Sequence, residues 1–330
     1  MNKHIVTKEN NTEQQKVSTT LIAVNATLAV CLFSFIVMIY QSSNEKHIVA
    51  KAPEVHNIVA FNTIATDARA IYIWDASDNK VIYAKDETTA LPLASLTKLM
   101  TMDTALSLVP ANIPVTINPT FLAQEGDSGL YAGETWSLKN LINFSLVVSS
   151  NDGAQAIASV AGAFSQNTQN TSIAPDYTIG LSDFIADMNQ KAQTLGLTTL
   201  HFKNPTGLDP TDGGDGGVGS ASDVAHLMYY TIKTYPVILE DTKDSSVTIS
   251  SQQYAHNAVN TDVAIPTIPG LIASKTGYTN RAGGNLVVAF DAGLGRVIII
   301  SVLGSTYDGR FTDMSALASS TVAYIQDNNI

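Results

Sequence analysis

Ser95-Leu96-Thr97-Lys98 sets a hydroxyl and an amine three positions apart, so on a helix the two side chains share a face, one turn apart. Such a pair suits nucleophilic acyl transfer. A serine hydroxyl attacks a carbonyl poorly until a base takes its proton, and a lysine within hydrogen-bond reach is that base once it is neutral. Burial and a neighbouring positive charge both disfavour the ammonium form, so a second lysine nearby would help. A helix starting near Pro92 would also aim its first backbone N–H groups at an oxyanion on the attacked carbonyl. By itself a Ser-x-x-Lys match arises by chance in most chains of this length and assigns nothing.

Two later stretches change that reading. Ser149-Ser150-Asn151 ends one helical pattern, and Lys275-Thr276-Gly277 ends an apolar run just before Tyr278. The three together are the motif set of penicillin-binding proteins and class A β-lactamases. Around them, Leu93 to Thr101, Ser149 to Ala154, Asn204-Pro205-Thr206-Gly207-Leu208 and Lys275 to Thr279 stand in the same order as in one family. The chain resembles the low-molecular-mass penicillin-binding proteins, the serine D-alanyl-D-alanine carboxypeptidases, over roughly Ile71 to Ile325.

The resemblance implies roles position by position. Ser95 would be the acylated nucleophile, Lys98 its base, and Ser149 a proton relay toward the leaving group. Asn151 would bind the substrate amide and Lys98, while Lys275 would supply the second positive charge. Thr276 would hydrogen-bond the substrate's terminal carboxylate, Gly277 would leave room for the peptide, and the N–H groups of Ser95 and Tyr278 would form the oxyanion hole. Arg310, in Tyr307-Asp308-Gly309-Arg310, would help hold that carboxylate, an anion suited to a guanidinium fork. The expected substrates are peptidoglycan stem peptides ending in D-Ala-D-Ala, with β-lactam antibiotics as covalent inhibitors and no metal or organic cofactor. Three alternatives stay open. Endopeptidase action on cross-links needs the same residues. A β-lactamase of class A needs a water-positioning glutamate, and none occurs between Glu134 and Glu240. A cell-wall-binding module would not cut at all. Ser274 before the Lys-Thr-Gly motif and the Asp/Gly-rich loop near residue 213 depart from the common pattern.

The elements that must position these residues are legible in outline. Ile71–Trp74 and Val81–Tyr83 flank turn residues 75–79 as a hairpin, and Leu286–Phe290 with Arg296–Leu303 form a second. Helical spacing runs from Ser95 to about Val109, from Leu138 to Val148 and from Ala154 to Phe164, with a closing helix from about Thr312 to Ile325. Gln166–Thr178 and Asp209–Gly219 read as loops; the second has some look of a calcium loop without its ligand spacing. Strands at both ends with helices between predict an α+β fold, an antiparallel sheet shared by the N- and C-terminal segments and covered by helices with a helical subdomain. The resemblance implies the same, the transpeptidase fold of penicillin-binding proteins and serine β-lactamases.

Leu21 to Tyr40 carries no charge over 20 residues, enough for a helix of roughly 30 Å, the thickness of a bilayer's hydrocarbon core. The expected division is a cytoplasmic tail (1–20), a transmembrane anchor (21–40), a stalk (41–57) and a catalytic domain (58–330) outside the cell membrane. Orientation is thinly specified, since Lys3, Lys8 and Lys16 face Lys46 and Lys51 across the span. A cleaved signal peptide is the alternative, and a lipoprotein site at Cys31 fits less well because Val30 precedes it. Tethering would then fall to the N-terminal segment, because the extra C-terminal β-domain and amphipathic anchor of several relatives have no counterpart here. The sole cysteine, Cys31, excludes an intrachain disulfide, and 18 Lys plus Arg against 29 Asp plus Glu (net −11) argues against gripping nucleic acid phosphates.

Overall fold

The computed structural model describes residues 61–328, apart from 62, 127–128, 167–176 and 212. The expected tail, anchor and stalk lie outside the described residues. Among the described residues no helix is long and apolar enough to cross a membrane.

Strands β1 (Ala70–Asp75), β2 (Lys80–Lys85), β3 (Leu271–Thr279), β4 (Gly283–Asp291) and β5 (Val297–Ser305) make one antiparallel sheet in the order β3-β4-β5-β1-β2. Ala70 lies opposite Leu303 and Asp75 opposite Ile298, so the two ends of the chain share the sheet as the sequence predicts. The first hairpin turns on Asp75, whose Oδ1 accepts the N–H groups of Ser77 and Asp78. The apolar runs of β4 and β5 do not alternate with polar residues because both faces are covered. Leu286, Val288 and Phe290 with Ile298, Ile300 and Val302 pack under helix α6 (Gly309–Asp327), against Met314 and Leu317. The residues between them, Val287, Ala289 and Ile299, face the larger core with Tyr72 and Trp74.

Helices α1 (Thr97–Leu108), α2 (Leu138–Val147), α3 (Asn151–Gln166), α4 (Tyr177–Thr194) and α5 (Ala221–Thr234) fill the middle of the chain. α1 is buried from Thr97 to Ala105, on every face, because α2 to α5 all pack against it. Its start differs from expectation. Leu91–Pro92 is a short strand paired with Gly217–Gly219, and the chain enters α1 through a 3-10 turn, Ala94–Leu96. α3 begins at Asn151 rather than Ala154 because Ser150 Oγ accepts the Gly153 N–H and caps it. α6 likewise begins early, so Arg310 stands in its first turn. The stretch expected as loop from Gln166 to Thr178 overlaps the ends of α3 and α4. Neither α4 nor α5 is foreseen in the sequence; both present buried stripes, Phe184, Met188 and Ala192 on the one and Val224, Leu227, Met228 and Thr231 on the other. The Asp/Gly-rich loop ends in the strand at Gly217–Gly219, and its Asp215 accepts from Arg281 Nε at 2.9 Å.

Ile300 is fully buried in the central strand. Replacing it with alanine should lower stability by about 2–5 kcal/mol, read as an earlier midpoint in urea unfolding with an unchanged slope.

Candidate active site

Ser95 sits on the 3-10 turn, where the backbone of Ala94 takes a left-handed φ of +49°. That strain persists because the turn is clamped on several sides. Leu93 N–H donates to Gly217 O, and Asn285 Nδ2, on β4, reaches 2.9 Å to Pro92 O. A Cβ on Gly207 would come within 1.9 Å of Ala94 O, and one on Gly277 within 2.8 Å of Leu93 O and 3.1 Å of Ser95 N. Only glycine fits at either position. At Gly277 the missing side chain lets the Ser95 turn pack against the end of β3.

Lys98 projects from the first turn of α1 into this centre and is wholly buried. Its Nζ lies 2.7 Å from Ser95 Oγ, 2.7 Å from Asn151 Oδ1 and 2.9 Å from Thr206 O. Burial, reinforced by Lys275, holds its pKa well below the ordinary lysine value. Neutral, the amine has two protons and one lone pair. Asn151 Oδ1 and the Thr206 carbonyl can only accept, so they take the two protons and the lone pair faces the Ser95 hydroxyl.

Asn151 opens α3, and its Nδ2 donates to Glu125 O at 2.7 Å, which ties it to the loop ahead of residue 129. Ser149, in the link between α2 and α3, has a φ of +58° and accepts from Lys275 Nζ at 2.9 Å. Lys275 is buried in β3 and also donates to Thr276 O. Burial and then Arg310 lower its pKa to about 7, against the opposing pull of Asp262. Ser274, before the motif, donates its N–H to Thr242 Oγ1 and its hydroxyl to Thr242 O. Thr276 Oγ1 meets Thr261 Oγ1. Arg310 is buried beneath the end of β3, where one fork nitrogen donates to Gly277 O at 2.8 Å and Tyr307 stacks 4.6 Å from the guanidinium. Its Nε has no acceptor among the described residues. Tyr278 is partly exposed, with its ring edge-on to Tyr307.

Ser95, Lys98, Ser149, Asn151, Lys275, Thr276, Gly277, Tyr278 and Arg310 thus gather where the helical layer meets the edge of the sheet. Sequence reasoning missed three contributors. The Thr206 carbonyl is aimed by Asn204, whose Oδ1 accepts from Thr206 N, Thr206 Oγ1 and Gly207 N. An asparagine ahead of Pro-Thr-Gly is a turn signal that could have pointed there. Asn285 and Thr261 carried no such signal.

A family model described as D-alanyl-D-alanine carboxypeptidase matches residues 57–164 and 161–306. The chain is 28% identical over 249 residues to the D-alanyl-D-alanine carboxypeptidase DacB2 of Mycobacterium tuberculosis, covering 73% of this chain and 77% of that one. It is 31% identical over 225 residues to a D-alanyl-D-alanine endopeptidase of Escherichia coli, covering 66% and 64%. Penicillin-binding protein D2 of Listeria monocytogenes, solved with cefotaxime bound, superposes with a TM-score of 0.64 at 25% identity, covering 78% of this chain and 98% of that one.

A lysine whose folded pKa is near 7 and whose unfolded pKa is about 10.4 binds fewer protons folded than unfolded between those values. Folding stability therefore rises with pH across that window. Lys275→Met removes the effect, so the stability of the wild type relative to this variant should climb steadily from about pH 7 to 10 in urea titrations. A difference that stays level or falls would contradict a buried, readily deprotonated Lys275.

Proposed function

Because the chain belongs to the D-alanyl-D-alanine carboxypeptidase family of serine peptidases, we propose that Ser95 carries a two-step acyl transfer that releases the terminal D-alanine of peptidoglycan stem peptides. The observation that carries this assignment is the buried Lys98 amine at 2.7 Å from Ser95 Oγ. Neutral Lys98 takes the hydroxyl proton as Oγ bonds to the carbonyl carbon of the D-Ala-D-Ala bond. The oxyanion is received by the N–H groups of Ser95 and Tyr278, a reading supported by the close packing of Gly277 on the Ser95 turn. As the C–N bond breaks, the proton passes to the departing amine with Ser149 and Lys275 as relay. Water then attacks the ester, Lys98 accepts its proton and returns it to Ser95 Oγ as the Oγ–acyl bond breaks, and the shortened peptide leaves.

Asn151 aligns the substrate amide with its second Nδ2 proton, the first being held by Glu125 O. Thr276 receives the terminal carboxylate. Arg310, buried and bonded to Gly277 O, lends this pocket its positive charge, with one arm of its fork already engaged. β-Lactams carry a strained amide and a carboxylate in the same arrangement and acylate Ser95; cefotaxime in the Listeria protein supports this. Residues 21–40 anchor the protein in the cell membrane with residues 58–330 outside it. Cleavage of cross-links is the second reading, favoured by the similarity to the Escherichia coli endopeptidase.

The full chain should release D-alanine from a D-Ala-D-Ala pentapeptide, and Ser95→Ala should abolish release. Penicillin should add one acyl group to Ser95, seen by mass spectrometry, and Lys98→Ala should slow that acylation about 10²- to 10⁴-fold. Release of D-alanine by Ser95→Ala at the wild-type rate would overturn the assignment. Dimeric cross-linked muropeptides left intact while the pentapeptide is trimmed would remove the second reading.

A further inference from the structure

Residues 260–262 bring to the cleft a side chain that none of the sequence motifs contains. Asn260 follows the strand Ala255–Val259, and its Nδ2 donates to Thr242 O at 2.9 Å and Asp244 O at 3.1 Å. Its Oδ1 accepts the Asp262 N–H, and Asp262 Oδ1 in turn accepts from Ala264 N. Both neighbours of Thr261 thus spend their side chains on fixing the loop. Thr261 N–H donates to Val147 O, at the end of α2 that leads to Ser149. Its hydroxyl oxygen stands 2.5 Å from that of Thr276, a residue 4% exposed. Thr261 therefore bridges the helical wall of the cleft and β3 at the place where the substrate's carboxylate is received.

Proton counting gives this contact a direction. Two hydroxyls at this separation share one proton, and each hydroxyl has only one to give. An ionised carboxylate only accepts, so Thr276 must donate to it, which leaves the proton between the two threonines to come from Thr261. We infer that Thr261 is a positioning residue that turns the Thr276 hydroxyl proton toward the substrate's terminal carboxylate and so sets affinity for ligands that carry one. The chain Thr261 O–H, Thr276 O–H, carboxylate polarises along its length, each bond strengthening the next. This rests on the carboxypeptidase reading for the identity of the anion.

Thr261→Val deletes the hydroxyl at nearly constant volume, and Thr261→Ser restores it. The valine variant should raise KM for the D-Ala-D-Ala pentapeptide roughly three- to tenfold with kcat little changed, and the serine variant should recover it. Acylation by penicillin free acid should slow by a similar factor, while acylation by its methyl ester, which has no carboxylate, should proceed as in the wild type. Should valine fail to fold, Thr261→Ala removes the same hydroxyl. An unchanged KM, or an ester slowed as much as the acid, overturns the inference. If the wild type releases no D-alanine, the peptidase reading fails and the acid-to-ester comparison still decides the role of Thr261.

Discussion

An amine with no access to water is the constraint on which the site depends. Lys98 is fully buried, and around its Nζ stand Ser95 Oγ, Asn151 Oδ1 and Thr206 O. A charged amine there would carry a large desolvation cost, so burial biases Lys98 to the neutral state that the proposed base requires. Three partners are needed because the neutral amine has two protons and one lone pair, and leaving a buried polar group unpaired costs about 1–3 kcal/mol. Each partner comes from a different stretch: the turn before α1, the start of α3 and the loop at 204–208. Chemistry and folding are therefore one problem here, since whatever disperses these three groups also rehydrates the amine.

Strain and close packing hold the pieces in register. Ala94 and Ser149, both beside functional groups, take left-handed backbone conformations that residues with a Cβ adopt at a cost of about 1–3 kcal/mol. Each is over-determined by its surroundings. Ala94 is pressed by Gly207 on one side and by the packing of Gly277 on the turn on the other. Ser149 is seized by Lys275. Backbone meeting backbone without side chains between them leaves little freedom for Ser95 to drift.

How much of this was legible follows from what kind of group does each job. Ser95 with Lys98, Ser149 with Asn151, and Lys275 in Lys-Thr-Gly contribute side chains in short motifs, and a motif can be read from one sequence. Thr206 acts through a carbonyl, which every residue has, and Asn285 through a tether to Pro92 that spans most of the chain. The first leaves only the Asn-Pro turn signal ahead of it, and the second leaves no local mark. The sheet was readable because apolar, β-branched runs flank turn residues; α4 was not, because its buried stripe begins beside an Asn/Thr-rich stretch, and α5 was not, because Thr231 stands in its stripe bonded to the buried Asp103. Arg310 was placed after the last strand, while Gly309, a poor helix former, concealed that α6 had already begun.

The order of strands in the sheet carries a consequence for biogenesis. β1, among the first segments to be made, has β2 on one side and waits for β5 on the other, and the Asn285 that secures Pro92 also arrives late. A nascent chain that has already delivered Ser95 and Lys98 to the ribosome exit still has neither the Asn285 tether nor the strand that carries Lys275. Contacts of such long sequence separation form slowly, and the cleft is complete only once β3 to β5 have been made.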